Sequence, residues 1–350
     1  MWGYKATVTI LCLGSLATTM MWFLEDDSHL EAHRAPQIKR QRPKPSQLCK
    51  GCKKIIDSVV TRYSKTWRKQ EMNYQKFKVK LQQTCNGFDN AIVTQANTPL
   101  GSTILFETSA KKLLVNSELF NLFPNKHPFS NKTLDTCAVV GNGGILYDSN
   151  CGKMIDSAEF VIRCNLPPLT GEYEKHVGKK TNIVTANPTI LLKLHQSLME
   201  RRLPFAEKMQ LYGSAMILLP AFSYNVNLAL SLRAAYTMKD FKSSVSPVFL
   251  NPQYLRELGG FWKARGVKAK RITSGLMMVS LALEVCNNVH VYGFWPFANH
   301  PFDLYPLPNH YYDDIWPKPG FHAMPTEFEH LLQLHSDGIL KLHLGRCNKN

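Results

Sequence analysis

Residues 137–165 read CAVVGNGGILYDSNCGKMIDSAEFVIRCN, and the alternation inside this stretch sets the fold class. Two short apolar runs, 137–141 and 160–165, enclose a glycine-rich turn and a segment of helical composition. Runs this short, rich in β-branched residues and bounded by turns, read as strands buried on both faces. The punctuation repeats downstream. Strands are expected at 182–187, 215–222, 247–252 and 289–294, and helices near 190–210, 252–265 and 275–287. Strands alternating with helices predict an α/β fold, a single Rossmann-like doubly wound sheet, which binds ligands at the carboxyl ends of its strands.

Three of those ends carry asparagine: Asn142, Asn165 and Asn187. An amide offers donors and an acceptor without charge, which suits a polar ligand that is already anionic, although Asn also terminates strands well. The turn Gly141-Asn142-Gly143-Gly144 lets backbone approach a phosphate. It is not a dinucleotide fingerprint, because Leu146 stands at the third glycine position and Asn165 replaces the acidic residue that would hold a ribose. NAD and FAD are therefore not expected.

Arg271 to Cys286, RITSGLMMVSLALEVC, opens a buried helix with Thr273 or Ser274 as N-cap. Amides at such a terminus favour a phosphate, and ordinary capping explains the same residues. Past the last strand, His310 precedes Tyr311 and Tyr312, and His322 stands five residues before Glu327. Imidazole titrates near neutrality and suits a general base, with a carboxylate to orient it. No metal is expected, since the chain has no Asp-x-Asp and Cys49-x-x-Cys52 has no second pair. A G-x-S-x-G nucleophile elbow is also missing.

The 350 residues carry 42 Lys+Arg against 26 Asp+Glu, and 44% are hydrophobic, which excludes wholesale disorder. Residues 25–83 hold 15 of the basic and 6 of the acidic side chains, so they supply +9 of the net +16. Much of that charge lies in RAPQIKRQRPKPSQ (34–47), a solvated spacer without the interleaved aromatics of a nucleic-acid-binding face. No nucleic-acid partner is expected. Residues 6–24 are uncharged, follow Lys5 and precede Glu25, Asp26 and Asp27, which predicts a signal anchor with its short N-terminus in the cytosol. A cleaved signal peptide is the alternative, but no small-x-small site closes the run. The expected division is a cytoplasmic tail (1–5), a transmembrane anchor (6–24), a basic stem (25–83) and a lumenal catalytic domain (84–350). In that compartment Cys137, Cys151, Cys286 and Cys347 can pair, and Asn131 heads a glycosylation sequon.

Together these segments resemble the animal sialyltransferases. Residues 137–188 resemble the long sialylmotif, 271–294 the short one, HYYD (310–313) the third, and His322 through Glu327 the very short one. They occur in the family's order across about residues 95–347. NTPLG (97–101), FVIRCNLPP, YGFWPF and FHAMP further resemble the α-2,8 branch, nearest its members that add one or a few residues. The resemblance implies the family's variant of the GT-A fold behind an anchor and stem, in the Golgi membrane. It implies CMP-sialic acid as donor, held by Asn142, Asn165, Asn187, Pro188 and Thr189, with Thr273, Ser274 and Gly275 at the cytidine and phosphate. Trp295, Asn309 and His310 would close over the donor, His310 would help the phosphate depart, and His322 would be the base. The implied bridges are Cys137–Cys286 and Cys151–Cys347, with Cys85 pairing to Cys52 or Cys49 and Cys164 a buried thiol. The acceptor would be a sialylated glycoprotein or glycolipid, transfer would invert configuration without a metal or other cofactor, and a homodimer is compatible with the pattern. Another linkage, α-2,3 or α-2,6, and an inactive relative that binds sugar nucleotide or glycan are the alternatives.

Overall fold

The computed structural model describes residues 52–129, 133–313 and 324–347. The expected anchor at 6–24, the basic linker up to residue 51, the sequon at Asn131 and the expected base at His322 lie outside the described residues. Among the described residues no helix is long and apolar enough to cross a membrane.

A short antiparallel hairpin, β1 (Thr103–Leu105) and β2 (Lys112–Leu114), precedes the main sheet. Seven strands follow: β3 (Leu134–Val140), β4 (Phe160–Arg163), β5 (Ile183–Thr185), β6 (Met216–Leu219), β7 (Ser246–Phe249), β8 (Cys286–Tyr292) and β9 (Lys341–His343). All pair in parallel, in the order β7-β6-β5-β4-β3-β8-β9. The order runs outward from β3 in both directions, so the sheet is doubly wound and reverses between β3 and β8. Such a reversal opens a crevice at the carboxyl edge. Successive side chains of a strand point to opposite faces. Accordingly Cys137 and Val139 enter one apolar core, and Ala138 and Val140 the other.

The helices follow the same logic. Helices α1 (Cys52–Tyr63), α2 (Glu71–Cys85), α4 (Pro252–Ala264), α5 (Ser274–Val285) and α6 (Met324–Ser336) contribute to the first core, and α3 (Asn225–Asp240) to the second. Both implied bridges form, Cys137 with Cys286 and Cys151 with Cys347. The first joins β3 to the start of β8, and the second ties the chain end to the segment after the glycine-rich turn.

Several expectations are corrected. The end of the basic stem packs on the main core, where α1 buries Ile56 and Val59 and α2 buries Tyr74 and Leu81. The lysines occupy the outer faces, so a basic composition covers two amphipathic helices. Tyr74 Oη donates to the carbonyls of Leu283 and Cys286, and the Trp67 indole to Leu340 O at 3.0 Å. Cys85 is a free buried thiol and pairs with neither Cys49 nor Cys52, although Cys52 is itself disulfide-bonded. Cys164 is a free buried thiol as expected. The helix expected over 190–210 is split into Pro188–Lys193 and Arg202–Met209, because Gln196, Ser197 and Leu198 turn left-handed at φ 46, 58 and 57°. The helix expected to reach residue 287 ends at Val285, where Cys286 takes extended backbone and starts β8.

Glu284 in α5 is fully buried, accepting from the Gly87 amide at 2.7 Å and facing Tyr254 Oη at 3.4 Å. Burial pushes its carboxyl up to about 7 from 4.5. The native state therefore keeps a proton that the unfolded chain releases, and stability falls as pH rises from about 4.5 through 7. Glu284→Gln removes this loss, so thermal melts are expected to show its stability relative to wild type rising from pH 5 to pH 8.

Candidate active site

The site grows from the reversal between β3 and β8. Gly141-Asn142-Gly143 leaves β3 against Gly293, which leaves β8 with φ +74°. The Gly143 amide donates to Gly293 O at 3.0 Å, and a Cβ on Gly143 would stand 2.7 Å from that oxygen. The glycines thus serve close backbone packing, which leaves Asn142 at the crevice. Asn142 Nδ2 donates to Cys164 O at 2.7 Å, at the end of β4. Its Oδ1 is buried without a hydrogen-bond partner among the described residues. A buried acceptor left open costs roughly 1–3 kcal/mol and fits a ligand donor.

Asn165 follows in left-handed backbone at φ 60°. Its Oδ1 accepts from Thr185 Oγ1 at 3.3 Å, and its Nδ2 reaches Ser274 Oγ at 3.5 Å. Long and short segments, 109 residues apart, therefore meet here. Asn187 lies two residues beyond β5 as the N-cap before Pro188, and its side chain makes no capping bond. Thr189 is exposed on the next turn.

Thr273 caps α5, accepting from the Leu276 amide at 3.0 Å. Its own amide donates to Glu327 Oε1 at 2.9 Å and its hydroxyl to Glu327 Oε2 at 2.5 Å. Glu327, buried in the first turn of α6, thus fixes the phosphate-favouring terminus. Sequence reading paired this carboxylate with His322 and missed its tie to Thr273. Gly275 packs under Phe294, whose ring would stand 2.6 Å from an added Cβ.

The third segment closes against the turn. Gly143 bridges His310, the Tyr311 amide donates to Asn142 O at 2.9 Å, and Tyr311 Oη donates to Pro168 O at 2.6 Å. His310 Nδ1 bonds Asp313 Oδ2 at 2.5 Å, and its ring stacks on Tyr312. Asn309 Nδ2 lies 3.2 Å from His310 Nε2. Asp313 is thus an orienting carboxylate for His310. The Trp295 ring is buried between Phe297 and Phe328, and its indole donates to Asn299 O at 2.8 Å. It braces the loop after β8 from inside.

Arg163 is sealed under the site. Its guanidinium donates to the carbonyls of Val177 and Lys180 and to Thr181 Oγ1, and burial pulls it down to about 10. Among the described residues no group of three or more His, Cys, Asp or Glu could hold a metal ion.

The profile of glycosyltransferase family 29 (sialyltransferase) matches residues 92–339. Alpha-2,8-sialyltransferase 8F of Mus musculus is 46% identical over 282 residues, covering 80% of this chain and 71% of that protein. Alpha-2,8-sialyltransferase 8E of Homo sapiens is 44% identical over 283 residues, covering 81% and 75%. Alpha-N-acetylneuraminide alpha-2,8-sialyltransferase of Xenopus tropicalis is 41% identical over 307 residues, covering 87% and 88%. The crystal structure of a mammalian sialyltransferase aligns over 87% of this chain and 91% of that chain, with TM-score 0.47 and 19% identity. With its long, short and third segments joined at one sheet reversal, this chain belongs to the sialyltransferases of glycosyltransferase family 29.

Proposed function

We propose that the chain transfers sialic acid from CMP-sialic acid to the 8-hydroxyl of a sialic acid that ends a glycoprotein or glycolipid glycan. The observation that carries this reading is the meeting of Asn142, Asn165, Thr273, Ser274 and His310 at the carboxyl edge, with Asn142 Oδ1 left open. Relatives named as α-2,8-sialyltransferases, 41–46% identical over most of the chain, support the linkage.

The chemistry follows from the donor. CMP is a good leaving group, so the protein must position two substrates and steady developing charge. Neutral amides at Asn142, Asn165 and Asn187 bind the anionic donor without repelling it. The amino terminus of α5, with the positive end of its dipole, faces the phosphate. As the bond from C2 to the phosphate oxygen breaks, the electron pair leaves with CMP and C2 gains oxocarbenium character. His310, held by Asp313, supports the departing phosphate. His322 takes the proton of the attacking hydroxyl from the opposite face, so the β-linked donor gives an α-linked product.

In this reading the chemistry needs no metal, in keeping with a sequence without Asp-x-Asp, and residues 6–24 hold the enzyme in the Golgi membrane as a type II protein. The test is product analysis after transfer to an α-2,3-sialylated lactoside, with EDTA present. Methylation analysis is expected to show the inner sialic acid newly substituted at O8, at the rate seen without EDTA. Substitution on galactose would assign another linkage, and loss of rate in EDTA would overturn the metal-free step.

A further inference from the structure

Apolar side chains crowd one flank of the carboxyl edge. From residues 191–205 the second core takes Leu191, Leu198 and Phe205. Leu192, Leu194, Met199 and Leu203 of the same segment stay outside it, and Val226 joins them from the first turn of α3. Each of these five is 51–71% exposed among the described residues. A single exposed leucine is ordinary, whereas five large apolar side chains on adjoining elements mark a contact surface. The helix Pro188–Lys193 and the turn at 196–198 both pack on α3, and Arg233 of α3 donates to Ser197 O at 3.2 Å. That turn holds three successive non-glycine residues in left-handed backbone, a cost the chain carries to keep this surface in shape.

The flank borders the crevice at both ends. Pro188–Lys193 starts at its cap Asn187 and carries Thr189. The start of α3 reaches the Thr273 cap, because Arg271 pairs with Glu107 at 3.0 Å and donates to Ser223 Oγ at 2.9 Å. Charge on the flank favours an anionic face. Residues 188–209 hold Lys193, Arg201, Arg202 and Lys208 against Glu200 and Glu207. Arg202 pairs with Asp240, while Lys193, between Leu192 and Leu194, and Arg201, two residues before Leu203, are exposed. Aliphatic side chains with cations among them suit the headgroup layer of a bilayer, where buried apolar area and attraction to anionic lipids add. Residues 25–51, between the proposed anchor and α1, have a contour of at most about 90 Å, so the anchor does not dictate which flank meets the membrane.

We propose that this flank rests on the bilayer leaflet that carries the acceptor, and that the acceptor is a membrane-borne sialylated glycolipid whose headgroup enters the crevice past Asn187. The inference rests on the α-2,8 reading and the anchor proposed above, and it names the acceptor class for that same site.

The test reconstitutes the full chain in phosphatidylcholine vesicles, with and without phosphatidylserine, and supplies labelled CMP-sialic acid. One acceptor is an α-2,3-sialylated lactosyl ceramide in the same bilayer, and the other is the free sialylated lactoside. Leu194→Glu/Met199→Glu/Leu203→Glu alters only exposed side chains, and transfer to the free lactoside reports that the fold is intact. For this variant kcat/KM with the ceramide acceptor is expected to fall roughly 30-fold, while that with the free lactoside stays within about threefold. Leu194→Met/Met199→Leu/Leu203→Met is expected to keep the wild-type ratio. Phosphatidylserine is expected to raise wild-type transfer to the ceramide acceptor roughly threefold or more, and to leave Lys193→Gln/Arg201→Gln unchanged. An equal loss with both acceptors, or a ratio that the Glu variant does not move, overturns the proposal. An unmoved ratio with loss of a dimer in light scattering would assign the flank to a second copy of the chain. Transfer by wild type to desialylated forms alone would instead remove the α-2,8 reading beneath it.

Discussion

His322→Ala is expected to lower turnover by about 100-fold or more, the usual scale of a general base. The attacking hydroxyl is a poor nucleophile until its proton has somewhere to go, and no other histidine stands at the matching position of the very short segment. CMP release without acceptor needs no hydroxyl deprotonation, so binding of CMP is expected to survive in the variant. The alkaline limb of the pH–rate profile should persist, while the acid limb assigned to the imidazole disappears. Turnover within a few-fold of wild type would assign the base elsewhere.

Glu327→Ala is expected to be nearly as damaging, for a different reason. Its carboxylate receives both the amide and the hydroxyl of Thr273, so truncation strands two donors at the terminus proposed to hold the donor phosphate. The loss of such buried, charge-assisted bonds is roughly 2–4 kcal/mol. We expect kcat/KM to drop about 30- to 1,000-fold, with the donor KM rising, and the melting temperature to fall. Glu327→Gln retains one acceptor oxygen and should recover part of both. An Ala variant with unchanged donor KM would show that the cap holds its geometry without Glu327.

Much of this site was legible in the sequence because strand ends carry their own signal. Short β-branched runs located six of the seven sheet strands, and polar residues at their carboxyl ends marked the edge. The rest required tertiary structure. Helix α3 was hidden because its buried face includes Asn227, Ser231 and Thr237, which blur the apolar period. Strand β9 is three residues long, too short for a pattern. Residues 52–83 have helix-compatible apolar spacing under nine lysines and arginines between residues 52 and 85, but nothing local shows that Ile56, Val59, Tyr74 and Leu81 pack against the main core. The pairs Glu107–Arg271 and Thr273–Glu327 span 164 and 54 residues, and nothing local announces either. The packing of Trp295 against Phe297 and Phe328 is equally invisible locally, since both partners are set by the tertiary fold.

The central claim is that this crevice joins CMP-sialic acid to an already sialylated glycan. The most direct test incubates the full chain with labelled CMP-sialic acid and a sialylated glycoprotein, a sialylated lactosyl glycolipid and the desialylated form of each. Label entering only the sialylated acceptors is the predicted result, and it also identifies the acceptor class. Label entering only the desialylated forms, or CMP bound without transfer to any of the four, would contradict it.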